Sequence, residues 1–189
     1  MSRVSQAQAR ENRRRVVVAA SQLFRDQGAQ AVSVADLMKS VGLTHGGFYK
    51  QFASKEALLT EAMAHAFEGM LQDIPTSSDD AEDRAAAQRA LVEAYLSPEH
   101  RDNAGGGCPA VGFFPDVSRD PSLTEARRIY EEGVRRFADG LSGDGVDGLT
   151  SLCTMVGALV LARATAGSSL SDDILDAARD AVPVPQAAP

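Results

Sequence analysis

The stretch Val34-Ala-Asp-Leu-Met-Lys-Ser-Val-Gly-Leu-Thr-His-Gly-Gly-Phe-Tyr-Lys-Gln-Phe52 decides the fold. Ser33, with Asp36 three residues later, forms a capping-box-like start for a short helix that buries Val34, Leu37, Met38 and Val41. Gly42 turns the chain. Thr44 then starts a further helix anchored by Phe48 and Phe52. Two helices joined by a short Gly-containing turn present one of them to the major groove of DNA.

With Phe48 and Phe52 facing the core, the helical period turns Gly46, Gly47 and Lys50 outward, with Tyr49 and Gln51 at the flanks. Two adjacent glycines cost a helix about 1 kcal/mol each relative to Ala. They permit close backbone approach, which suits a helix pressed into a groove. Tyr49 and Lys55 are suited to donate to phosphate oxygens, and Thr44, His45 and Lys50 to read base edges. A protein-binding three-helix module with an incidental Gly pair is the competing reading.

Working outward, the first helix starts in the Arg-rich lead and reaches Gln27, with Val16, Ala20, Leu23 and Phe24 on one face and Gly28 as its stop. Ser54 caps a longer helix striped with Leu59, Met63, Phe67, Met70 and Leu71. A linker covers 74–80. Further helices are expected at about 81–96, 109–118, 121–140, 149–166 and 171–181, with 97–107 a polar loop and 140–148 a Gly-rich turn. No strand of comparable strength appears.

The net charge is −7, which by itself argues against nucleic acid. Its distribution argues the other way. Residues 1–55 hold nine Lys/Arg and three acidic residues, a net +6, whereas the remainder is −13. Two cysteines are too few for a disulfide framework, and Met1 to Arg15 lack an apolar signal segment, so a reduced cytoplasmic location is expected. No run is long enough to span a bilayer.

The segment from Arg13 to about Phe67 resembles the DNA-binding domain of the tetracycline-repressor (TetR) family of bacterial regulators. The resemblance rests on Leu23-Phe24, Gly28, Val32-Ser-Val-Ala-Asp-Leu, Val41-Gly-Leu and Gly47-Phe-Tyr-Lys-Gln-Phe-Ala-Ser-Lys-Glu-Ala-Leu58. It implies an all-α homodimer, not an enzyme, that represses transcription until a small molecule binds its C-terminal domain. Tyr49 and Lys55 then correspond to phosphate contacts, and Thr44, His45, Gly46 and Lys50 to base-proximal positions. Gln51 stands where many members have His, and Gly47 where many have Thr or Ser.

The expected organisation is a helix-turn-helix domain at 1–53 and a helical ligand-binding and dimerisation domain at 54–189, with 54–73 as the connecting helix. The candidate DNA-contacting residues are Ser33, Thr44, His45, Gly46, Gly47, Tyr49, Lys50 and Lys55. The resemblance makes Phe67, Met70, Tyr95, Phe113, Phe114, Tyr130 and Phe137 candidates for a ligand cavity, although core packing is the ordinary role of such residues. The expected partners are a double-stranded DNA operator, an unidentified effector and a second copy of the chain. The helix at 149–166 is apolar nearly all round, which argues for burial on more than one side and hence for a dimer interface.

Cys108 lies at the start of a helix, where a thiolate is favoured, so a redox sensor or enzyme using Cys108 is the alternative function. A packed thiol is the commoner role for such a residue, and packing is expected for Cys153 too. His45, His65 and His100 show no metal-ligand spacing, and neither metal nor cofactor is expected.

Overall fold

A computed structural model describes residues 6–72, 74, 81–143 and 145–183. The chain is all-α: α1 (Gln6–Gln27), α2 (Val34–Ser40), a 3₁₀ turn (His45–Gly47), α3 (Lys55–Gln72), α4 (Ala81–Tyr95), α5 (Pro98–Asp102), α6 (Pro109–Gly112), α7 (Phe114–Arg119), α8 (Thr124–Leu141), α9 (Gly148–Ala164) and α10 (Ser169–Ala181). Among the described residues the only extended pairing is an isolated bridge between Gly143 and Val146. The linker expected at 74–80 and the tail beyond residue 183 lie almost wholly outside the described residues.

The N-terminal helices pack around α1, which buries Val16, Ala20 and Phe24 against Leu37, Met38, Phe48 and Phe52. Ser33 caps α2 by accepting the Asp36 N–H at 3.0 Å. Gly42 adopts φ +70° in the turn, a conformation L side chains rarely adopt. Ser54 caps α3 by accepting the Ala57 N–H at 3.1 Å. That helix continues into the body, where it packs along α8. A Cβ on Gly133 of α8 would come within 2.4 Å of the Phe67 ring, so the close approach of α3 and α8 requires glycine there.

Four expectations change. The helix after Gly42 is a single 3₁₀ turn followed by irregular turns, and Thr44 makes no side-chain cap. Gly46 and Gly47 supply too little helix propensity to sustain a longer α-helix. The 97–107 loop contains α5, capped by Ser97, which accepts the His100 N–H at 3.1 Å, with Pro98 at the favoured first-turn position. The helix expected at 109–118 is divided at Phe113 into α6 and α7. Cys153 is exposed rather than packed, because α9 buries only the side carrying Leu152, Met155 and Leu159.

Candidate DNA interface and ligand cavity

Most of the predicted DNA-contacting residues lie in and beside the 3₁₀ turn. Thr44, His45, Gly46, Tyr49 and Lys50 are exposed, and nothing lies within 4 Å of a Cβ built on Gly46. Tyr49 is 64% exposed and meets the rings of His45 and Phe48 edge-on, at 5.8 and 5.1 Å. An apolar-bodied side chain held this open, beside lysine and a bare glycine backbone, is shaped to meet a partner. Gly47 is half-buried over Met38. The Ser33 hydroxyl is engaged in capping α2 and also donates to the Asp36 carboxylate at 2.6 Å. Lys55 is half-buried and borders a small cleft with Glu56, Asp116 and Asp120.

Two of the nine basic residues in 1–55, Arg13 and Arg15, hold this surface together. The Arg13 guanidinium pairs with Glu61 at 2.5 Å, donates to the Gln51 carbonyl and lies 4.2 Å above the Phe52 ring. It thereby ties α1, α3 and the segment after the 3₁₀ turn at one point. Arg15 donates to the Val41 carbonyl at 2.7 Å, bracing the turn at Gly42. These positioning roles were hidden in the sequence, where both arginines counted only as charge.

A cavity of about 730 Å³ opens between α1, α3, α4, α8 and the loop before α6. Met70, Tyr95 and Phe137 line it. Four other aromatic candidates lie elsewhere. Phe67 packs on α8 and meets Tyr130 edge-on, Phe113 is wholly buried in the core, and Phe114 points to solvent. Tyr130 donates its hydroxyl to the Ala110 carbonyl at 2.6 Å. The cavity also takes Ser21 and Arg25 from α1, a helix the sequence assigned only to the DNA-binding half.

His100 and Cys108 sit at the same end of the cavity. His100 Nε2 accepts the Cys108 N–H at 3.1 Å, so its proton is on Nδ1, which donates to the Tyr95 carbonyl at 2.6 Å. Burial lowers the His100 pKa and keeps the ring neutral. The Cys108 thiol is fully buried, and burial pushes its pKa up. The thiolate expected at a helix start is therefore disfavoured, and α6 spans only four residues. With its ring nitrogens so committed, His100 is a strut for the loop rather than a base for the thiol. Among the described residues no group of His, Cys, Asp and Glu is arranged to hold a metal ion. No helix there is long and apolar enough to cross a membrane.

Comparison with known proteins agrees with this geometry. The family of bacterial regulatory proteins called the tetR family matches residues 16–62, the span from α1 into α3. Two uncharacterized HTH-type transcriptional regulators of Mycobacterium tuberculosis are 27% identical, covering 80% of this chain and 84% of their own. The reduced form of E. coli NemR has a similar fold, with TM-score 0.70 and 18% identity, covering 93% of this chain and 100% of its own. AibR, solved with isovaleryl coenzyme A and operator DNA, is similar at TM-score 0.60 and 14% identity, over 90% and 97% of the two chains. Residues 16–62 thus carry a helix-turn-helix that matches the tetR family, set on an all-helical body with the fold of the solved regulators it resembles.

Proposed function

We propose that the chain is a homodimeric cytoplasmic repressor that binds a pseudo-palindromic operator and releases it when a small molecule fills the cavity. Residues 1–53, with Lys55 at the start of α3, read DNA in this account, and residues 54–189, with α1 as one further wall of the cavity, bind the effector and dimerise. Tyr49 and Lys55 contact phosphates. Thr44, His45 and Lys50 face base edges, with Gly46 and Gly47 allowing the backbone close to the groove.

The observation that carries the reading is the position of the cavity. Its walls include α1 and α3, the two helices that run from the helix-turn-helix into the body. A ligand that binds one spacing of the recognition segments better than another shifts DNA affinity by that difference. A protein of the same fold, AibR, has been solved with both an acyl coenzyme A and operator DNA. The dimer is supported by α9 and α10, which leave Leu149, Val160, Leu161 and Leu170 exposed. Large apolar side chains clustered on two neighbouring helices mark an association surface.

A compound screen against the protein–operator complex tests the reading. Compounds that bind the protein should release DNA, and Leu91→Trp, which fills the cavity, should blunt release while leaving unliganded DNA binding intact. Ligands that bind the cavity without changing operator affinity would contradict it.

A further inference from the structure

The cavity lining is amphipathic. Val18, Ala66, Met70, Leu91 and Phe137 supply apolar surface, and Ser21, Arg25, Tyr95, His100 and Cys108 are among its polar groups. Among the described residues no Asp or Glu lines the cavity. Ser21 is 1% exposed and its hydroxyl has no hydrogen-bond partner; Tyr95 is 6% exposed and its hydroxyl has only the Cys108 thiol beside it, a weak partner. A serine inside a helix ordinarily satisfies itself on the carbonyl one turn back. Ser21 does not. Buried hydroxyls left in this state carry a desolvation cost that a ligand oxygen would relieve.

The Arg25 guanidinium in this lining also lacks a carboxylate partner among the described residues. Arg25 is partly buried and donates only to backbone carbonyls, through Nε to Ser21 at 3.0 Å and through Nη1 to Gly107. Arg163 lies behind the same loop and likewise donates to the Arg101 and His100 carbonyls, at 2.9 and 3.1 Å. Neither guanidinium pairs with a carboxylate among the described residues, and arginine stays protonated in proteins. His100 is neutral with both nitrogens engaged, and the Cys108 thiol is protonated, so neither offsets the positive charge. A partly buried cation without a counter-charge is costly, and an anion beside it gains correspondingly.

We infer that the cavity takes an amphipathic monocarboxylic acid, its carboxylate held by Ser21, Tyr95 and Arg25 and its apolar body lying against Met70, Leu91 and Phe137. One guanidinium flanked by two hydroxyl donors matches the single charge and two oxygens of a carboxylate. The volume of about 730 Å³ lies within the usual range of small-molecule sites. This inference rests on the ligand-responsive reading above but adds the chemistry of the ligand.

Calorimetric titration of the full-length protein with octanoate and decanoate, and with octanol and octylamine as matched controls, tests it. The acids should bind about tenfold or more tightly than the alcohol, since hydrogen bonds to a charged group are the stronger kind. Ser21→Ala and Tyr95→Phe remove one hydroxyl each with little change in shape, and unliganded melting temperatures check that both variants fold. Each should weaken acid binding several-fold and octanol binding by less, since hydrogen bonds to a charged group are the stronger kind. Octanol or octylamine binding as tightly as octanoate would overturn the inference. Failure of both acids to bind, or acid affinity unchanged in both variants, would overturn it as well. Operator affinity read on the same samples separates the two claims. Acids that bind without releasing DNA would contradict the proposed function alone, whereas neutral compounds that bind better and release DNA would contradict only the acid assignment.

Discussion

The Asp116 carboxylate accepts the backbone N–H of Ala29 through both oxygens, at 3.1 and 3.3 Å. Ala29 follows the stop of α1 at Gly28, and Asp116 belongs to α7, so this buried bond joins the helix-turn-helix to the body. Asp116→Ala should destabilise the protein by about 1–3 kcal/mol, the cost of leaving a buried N–H unpaired. Asp116→Asn keeps an acceptor and should cost less.

The same carboxylate gives a pH signature. Burial is the largest influence on Asp116 and holds its pKa above the usual 3.8. The folded state therefore takes up this proton at higher pH than the unfolded chain does. The contribution of Asp116 to stability is greatest below the unfolded value and is lost as pH rises through the folded one. In urea unfolding, wild type should gain on Asp116→Asn as pH is lowered from neutrality through that window. A difference that is flat with pH would contradict the burial argument.

Arg13 and Lys55 separate positioning from contact. Arg13→Ala removes the tie among Glu61, Gln51 and Phe52, so DNA affinity should fall with sequence preference and salt slope unchanged. Arg13→Lys should not restore it, because a lysine lacks the planar fork that serves several partners at once. Lys55→Ala should instead reduce the salt slope by about 1. Binding isotherms over a salt series distinguish the two. An unchanged slope for Lys55→Ala would remove its phosphate role.

Leu161 tests the dimer surface. It is 56% exposed on α9. Leu161→Glu should leave the subunit folded but drive it to monomer in sedimentation at micromolar concentration, with loss of operator affinity. Wild-type protein sedimenting as a monomer under those conditions would rule the dimer out.

Gly133 tests the lever. Gly133→Ala places a methyl against the Phe67 ring and should cost about 1–3 kcal/mol as α3 or the ring moves. Because α3 also carries Lys55, operator affinity should change together with stability. A variant as stable as wild type would show that the α3–α8 contact is looser than its geometry.

The helices of this fold were legible because their apolar residues recur at helical spacing and their starts carry Ser33 and Ser54. The short α5 escaped, although Ser97-Pro98-Glu99 is a helix-start signal, because the polar and Gly-rich residues around it read as loop. The exposed helix-turn-helix side chains were legible from Phe48 and Phe52, which fix the buried side. The cavity was only partly so. Hydrophobicity marks Phe113 and Phe137 equally, and both are fully buried, yet only Phe137 also borders the cavity, a distinction set by how helices distant in sequence meet. Ser21 and Arg25 went unnoticed because a helix packed beneath a DNA-reading segment was not expected to wall a ligand site as well.

Selection of bound sequences from random DNA duplexes, followed by affinity measurement across a salt series, tests the central claim most directly. The account predicts enrichment of a pseudo-palindromic site whose log affinity falls linearly with log salt concentration, and altered preference at the base pairs facing Lys50 in Lys50→Ala. No enriched sequence, with affinity insensitive to salt, would contradict it.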